Sequence, residues 1–337
     1  MLHAPRIEAG VPALVLAPME GVTDAPMRAL LSELGGFTFC VTEFIRITQS
    51  VPGSRVFRAH VPEFATGCRT RAGLPVQVQL LGGDPDQLAE AALVAVEAGA
   101  RAVDLNFGCP APTVNRHDGG ATLLNHPDRI RAIVRAVRAA LPTEIPVSAK
   151  LRLGWDDPRA IHVNAERSAE GGAAWITIHG RTKCQGYQPP AFWKPIGEVR
   201  ARLGIPVVAN GEIWTVDDFR RCRDETGCEH FMLGRGALVS PALVHAAARE
   251  LGIPGVGWAG GFDRTPAEWL PLVRRFVELS SAAVPSPAYT ARRVKQWLRM
   301  ANHDGGMPWF EGLKKEESLH DVLGHLGALA ASAADAA

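Results

Sequence analysis

Eight short, almost wholly apolar runs recur along the first part of the chain, at residues 13–19, 37–44, 76–82, 102–108, 147–154, 175–181, 207–213 and 231–236. Continuous apolar character of that length suits parallel strands buried on both faces. Between the runs, apolar residues fall at helical intervals. Residues 84–98 open with Asp84-Pro85, a cap followed by a first-turn proline, and stop at Gly99. Residues 127–141 stop before Pro142, and residues 217–226 and 242–251 follow the same pattern. Strand and helix alternating through eight units predict an α/β fold, a (β/α)8 TIM barrel of about 250 residues. A doubly wound open sheet is the main rival. It is disfavoured because polar residues cluster at the C-terminal ends of most strands rather than at one crevice. The first strand is also not followed by G-x-G-x-x-G.

The alternation stops at GIPGVGWAGG, residues 252–261, which holds five glycines. Beyond it the pattern is helical at 266–279, at 289–302 and near 313–329, and the Ala-rich stretch 323–337 is expected to fray. The expected division is a barrel over residues 1–251, a linker over 252–262 and a helical domain over 263–337. There is no fixed-period repeat beyond the βα unit.

Composition narrows the class. The chain is 47% hydrophobic and 21% charged, which excludes a disordered chain, a collagen-like fibre and a disulfide-dense miniprotein. Lys and Arg number 36 against 35 Asp and Glu, so any nucleic-acid partner needs a local basic patch. No run of about 18 apolar residues escapes charge, Pro or Gly, so no transmembrane helix is expected. The first residues lack the apolar run of a signal peptide. The six cysteines are scattered without a C-x-x-C pair, which reads as reduced thiols in the cytoplasm and no structural zinc. Without H-x-H or H-E-x-x-H, a metal-dependent hydrolase is disfavoured, and no metal is expected.

Candidate chemistry sits at the strand ends. DLNFGCP, residues 104–110, delivers Cys109 to the expected catalytic face. Pro110, Pro112 and Gly119-Gly120 shape the loop that follows as a lid. A thiol there serves as a nucleophile or a proton donor; the alternative is a small buried hydrophobe. Asn210-Gly211-Glu212 closes the seventh strand and Gly234-Arg235-Gly236 the eighth. Barrels often bind phosphate between these two loops. Glycine admits backbone N–H groups and Arg235 adds a charged fork. Lys150, alone in an apolar run, is costly to bury without an anionic partner, which suits a reduced, anionic cofactor ring. Its alternative is an ion pair with a barrel acid; that of His179 is a core histidine. Gln77 and Gln79 occupy the third strand. In the tail, residues 264–300 carry seven basic side chains against two acidic ones. Arg292, Lys295 and Arg299 share one helical face that can track a phosphate backbone, beside Gln296 and Trp297.

The motifs resemble the tRNA-dihydrouridine synthases: APMEGVTD (17–24), VQLLG (78–82), DLNFGCPAPTVNRHDGGA (104–121), AKLRLGW (149–155), IHGRT (178–182), ANGEIW (209–214) and MLGRGAL (232–238). EFIRIT (43–48), GRTKCQGY (180–187) and ARRVKQWL (291–298) resemble the bacterial C subgroup, which acts on uridine 16. The resemblance implies an FMN-containing barrel with a helical domain that grips tRNA, and NADPH, or NADH, as reductant. It implies hydride transfer from flavin N5 to C6 of a flipped-out uracil, with Cys109 protonating C5. Pro18, Met19, Glu20 and Gln79 would contact the flavin ring. Lys150 and His179 would sit at its N1/O2 edge and the uracil. Asn210, Gly211, Glu212, Gly234 and Arg235 would hold the ribityl phosphate. Asn106 and Arg152 would touch the substrate nucleotide. Arg46, Arg292, Arg293, Lys295, Gln296 and Arg299 would contact tRNA. A monomer without membrane or metal partners is expected. The rivals are a barrel reductase of free pyrimidines, such as a dihydroorotate dehydrogenase, and a flavin-free RNA-binding protein.

Overall fold

The computed structural model describes residues 4–48, 50–116, 118–254, 257 and 260–334. Eight parallel strands close on themselves: β1 Ala13–Leu16, β2 Phe39–Arg46, β3 Val76–Leu81, β4 Val103–Asn106, β5 Val147–Arg152, β6 Ile176–His179, β7 Val207–Asn210 and β8 His230–Leu233. β8 pairs with β1, Ala13 opposite His230 and Leu16 opposite Leu233, so the sheet has no edge and the open-sheet rival is excluded. Most strands stop sooner than the apolar runs, because their last residues climb into the loops of the mouth. β2 is the exception. A register shift between Val41 and Phe44 lets it run on to Arg46.

Outward-pointing strand residues pack beneath a ring of helices, among them Ala25–Leu34, Pro85–Ala98, Pro127–Ala140, Ala160–Glu170, Lys194–Arg202 and Val216–Thr226. Local signals set the ends. The Asp84 carboxylate accepts the Gln87 N–H at 2.9 Å, and Thr215 and Asp218 form a reciprocal capping box. Inside the barrel, Ala13, Val15, Ala17, Phe39, Val41, Val208 and Met232 form a separate apolar cluster, closed by Trp175, whose ring meets Phe39 edge-on at 6.1 Å. The remaining inner positions, on β3 to β6, are polar.

After the barrel, Thr265 and Glu268 form a capping box that starts helix Pro266–Ala283. Helix Pro287–Ala301 follows, capped by Ser286. The single helix expected near 313–329 is instead two, Phe310–Leu313 and Leu319–Ala334, broken where the Ser318 hydroxyl accepts the Asp321 N–H at 3.1 Å. Val322, Leu326 and Ala330 are buried, so the second helix holds past the point where fraying was expected. Residues 335–337 of that stretch, and 255, 256, 258 and 259 of the expected linker, lie outside the described residues. These helices share one apolar core with the barrel's outer layer, and Pro266–Ala283 packs on helix Ala25–Leu34. Among the described residues no helix is long and apolar enough to cross a membrane, and no cluster of His, Cys, Asp and Glu is placed to hold a metal.

Candidate active site

A cavity of about 690 Å³ opens at the C-terminal end of the strands, in the size range of small-molecule and cofactor sites. Pro18, Met19, Glu20, Gln79, Asn106, Cys109, Lys150, Arg152, His179, Asn210, Gly211, Glu212, Gly234 and Arg235 all line it. The ends of seven strands, with the loops that follow, thus converge on one space, as strand-end residues do in a closed barrel.

The loop after β4 presents Cys109. Asn106, the last residue of β4, turns its carboxamide oxygen onto the N–H groups of Gly108 (3.0 Å) and Cys109 (2.9 Å). The Cys109 carbonyl accepts the Ala121 N–H at 3.0 Å, which folds the following loop back on itself. Cys109 is half-buried, and burial pushes its thiol up, so the sulfur keeps its proton at neutral pH.

Lys150 enters from β5. Its Nζ donates to Asn210 Oδ1 at 2.9 Å, and Asn210 Nδ2 donates to the Met232 carbonyl at 2.8 Å. Burial, with Arg152 second, pushes the ammonium down to about 8. Arg152 spends its donors on carbonyls: Gly108 (2.8 Å), Thr182 (3.0 Å) and Gly186 (2.8 Å). Arg235 lies against the faces of Tyr187 (4.9 Å) and Trp214 (4.8 Å). Among the described residues none of these three cations is in a salt bridge. Cations held only by neutral groups leave the cavity with surplus positive charge, and an anionic ligand relieves it. Met19, Val22, Phe44 and Met232 supply apolar wall for a ring. The donor set therefore fits a flavin mononucleotide. His179 adds no charge: burial and the neighbouring cations hold its imidazole well below the ordinary value, hence neutral. At the rim, burial and the nearby Glu43 push the Glu20 carboxyl up to about 7.

Glycine shapes the opposite wall. Gly211 has φ +118°, and a Cβ there would stand 2.7 Å from His179 Cδ2. At Gly236 a Cβ would meet the Ile213 carbonyl oxygen at 2.2 Å, so only glycine lets the β7 and β8 loops touch. Glu212, expected at the phosphate, points its carboxylate elsewhere. It pairs with Arg181 and accepts the Ala191 N–H, which holds its left-handed backbone (φ 55°) in place.

The expected RNA contacts are not gathered at the cavity. Arg292 and Arg299 are exposed on helix Pro287–Ala301. Lys295 donates to the Glu316 carbonyl at 2.8 Å. Arg46 reaches the Thr113 carbonyl in the loop beyond Cys109 at 2.6 Å. Arg293 is buried: it pairs with Asp24 at 3.0 Å and donates to the carbonyls of Gly21 and Val22, both at 2.7 Å. Gln296 accepts from Arg293 as well. Arg293 thus faces the barrel, not the exposed side, because residues adjacent in a helix point about 100° apart.

Sequence reasoning gave no role to three neighbours. Tyr187 is exposed at the mouth with the Arg152 guanidinium 5.2 Å from its ring. Trp214 stacks on His303 at 4.1 Å, joining the mouth to the C-terminal helices. Asp104 is buried beneath Asn106. The segments GRTKCQGY and ANGEIW contain the two aromatic residues, but only the fold shows which way they face.

A family model described as dihydrouridine synthase (Dus) matches residues 15–253. The chain is 46% identical over 321 residues to a tRNA-dihydrouridine(16) synthase of Pseudomonas putida, covering 93% of this chain and 96% of that one. It is 44% identical over 288 residues to the protein of that name from Neisseria meningitidis, covering 85% of each. A third, from Ralstonia nicotianae, is 49% identical over 230 residues, 68% of this chain and 71% of its own.

Proposed function

The chain belongs to the dihydrouridine synthase family, and from that premise we propose that it reduces the C5=C6 bond of uridine 16 in the D-loop of tRNA, with FMN as cofactor and NADPH as reductant. The observation that carries the reading is a protonated thiol, Cys109, on the same cavity as three cations that, among the described residues, make no salt bridge.

Pro18, Met19 and Gln79 would flank the flavin ring, and Lys150 would face its electron-rich edge. Gly211, Gly234 and Arg235 would take the phosphate. When bound and reduced, FMN supplies the hydride that adds to C6 of uracil. The chain's own groups do the rest. Hydride at C6 pushes the C5=C6 electrons toward O4 and leaves enolate character at C5. The Cys109 sulfhydryl donates its proton to C5, and water restores the proton to the thiolate. Burial suits Cys109 to this role, because a donor must arrive protonated. Asn106 and Arg152 would orient the base, which has to leave its stack to reach the cavity. The exposed Arg292 and Arg299 would meet phosphates along the tRNA. The position 16 assignment draws on the names of the relatives and on the subgroup segments.

The test is to map dihydrouridine in tRNA from cells lacking this gene, and in tRNA from those cells treated with the purified protein and NADPH. The expected result is loss at position 16 alone, restored in vitro. Loss at another position overturns the site assignment. No loss at any position, with activity on a free pyrimidine, overturns tRNA as the substrate.

A further inference from the structure

Beneath the cavity floor, one carboxylate gathers donors from several strands. Asp104 on β4 is 2% exposed. Its Oδ1 accepts the Ser148 hydroxyl, and Ser148 Oγ in turn accepts from Gln77 Nε2 at 2.9 Å. Its Oδ2 accepts from Gln79 Nε2 at 2.7 Å. Gln79 Oε1 then accepts from Asn106 Nδ2 at 2.8 Å, and Asn106 Oδ1 accepts the N–H groups of Gly108 and Cys109.

A carboxamide has two nearly isosteric ends, so packing alone does not say which end faces which neighbour. Here the chain ends on the buried Asp104 carboxyl, whose two oxygens accept from Ser148 and Gln79; burial pushes its pKa up, while those two donors and Lys150 pull the other way. That acceptance forces Gln79 to turn its NH2 down and its oxygen up. The oxygen forces Asn106 to turn its NH2 toward Gln79. Only then does the Asn106 oxygen face the two backbone N–H groups that hold the Cys109 loop. If Asn106 flipped, its NH2 would oppose those N–H groups and leave them buried without an acceptor.

We propose that Asp104 is a positioning residue that acts on the thiol at a distance, fixing the polarity of the Gln79–Asn106 relay and so the placement of Cys109. It touches no reacting atom. Its effect on turnover rests on the reading of Cys109 as proton donor; its effect on the thiol itself does not. The relay also commits the faces toward the cavity. Asn106 keeps one N–H and Gln79 keeps one N–H uncommitted, so this floor offers donors to a ligand carbonyl.

Asp104→Asn removes the anchor at almost constant volume. With the anchor gone, only the Gly108 and Cys109 N–H groups still favour the native direction, and the Cys109 loop loosens. The test is the rate at which iodoacetamide alkylates Cys109, followed by mass spectrometry from pH 7 to 10 on the purified protein carrying Cys184→Ser to silence the exposed thiol. Asp104→Asn is expected to speed alkylation at pH 8 by roughly tenfold, the weight of one or two lost hydrogen bonds. The midpoint of its pH profile is expected to move down as the thiol gains water. Asp104→Asn combined with Gln79→Glu restores an obligate acceptor one link along the relay, again accepting from Asn106 Nδ2, and is expected to return rate and midpoint to those of the parent. A purely structural role for Asp104 predicts no such rescue. An unchanged rate and midpoint in folded Asp104→Asn overturns the proposal, and so does an altered rate that the second substitution leaves unrepaired. If Asp104→Asn does not fold, the double variant decides: folding with parental thiol kinetics supports the relay, and anything else overturns it. Loss of tRNA reduction with parental alkylation in every variant would count against the relay while leaving the proposed reaction standing.

Discussion

The barrel interior is two unlike arcs. On β7, β8, β1 and β2 most inward positions are apolar, and Gly211, Gly234 and Gly236 open the loops after β7 and β8. On β3 to β6 the inward positions are Gln77, Gln79, Asp104, Asn106, Ser148, Lys150, Arg152, Thr177 and His179. One arc makes room and offers backbone; the other aims side chains. The difference teaches how one closed sheet can bind a large group and still place single protons. An apolar floor lets loops approach a ligand without competition from side chains. A polar floor is stable where its groups are paired, as Asp104, Gln79 and Asn106 are, and that pairing then fixes direction.

This contrast is open to challenge at both ends. On the polar arc, Cys109→Ala should keep the flavin and its reduction by NADPH while dihydrouridine formation in tRNA drops by about 100-fold or more, the usual weight of a general acid. Simultaneous assays of NADPH oxidation and of the modified nucleoside separate the two. On the glycine arc the effect should fall on occupancy instead. Gly211→Ala places a methyl against His179 at a positive φ, and Arg235→Ala removes a cation. Each should weaken FMN retention roughly tenfold, read as the flavin-to-protein ratio after dialysis. A polar-arc pattern from Gly211→Ala, with full flavin and no turnover, would erase the distinction. The smallest effect is a slope. Burial holds the Lys150 pKa at about 8, below its ordinary value of 10.5. Between those values the unfolded chain binds more protons than the folded one, so this residue makes stability rise as pH climbs from 8 to 10.5. Lys150→Met should flatten that rise in urea melts taken across the window.

Much of this was legible in the sequence. Apolar runs separated by capped helices are a local signal, and all eight strands lie where such runs lie. The converging residues were also readable, because a strand end in a closed parallel barrel points to one mouth. Direction was harder. Arg293 belongs to a basic cluster by sequence, yet Asp24, 269 positions away, turns it inward. Glu212 follows a phosphate-loop glycine, yet Arg181 on another loop claims its carboxylate. Asp104 stood in the strongest motif and was passed over, because nothing local reveals that Gln79 and Ser148 will stand beside it. Spacing along the chain carries position; partners distant in the chain carry orientation.

Arg293 also ties the fate of the two halves together. The turn that it grips, from Gly21 to Asp24, follows directly on Pro18, Met19 and Glu20 at the cavity wall. Anything that leans on the outer side of helix Pro287–Ala301 therefore pulls on a strut rooted in the ligand chamber. Trimming the chain before Pro266 would not release a working miniature. It would take Arg293 and Tyr289 away from Asp24, strip the cover from helix Ala25–Leu34 and slacken the wall behind Met19.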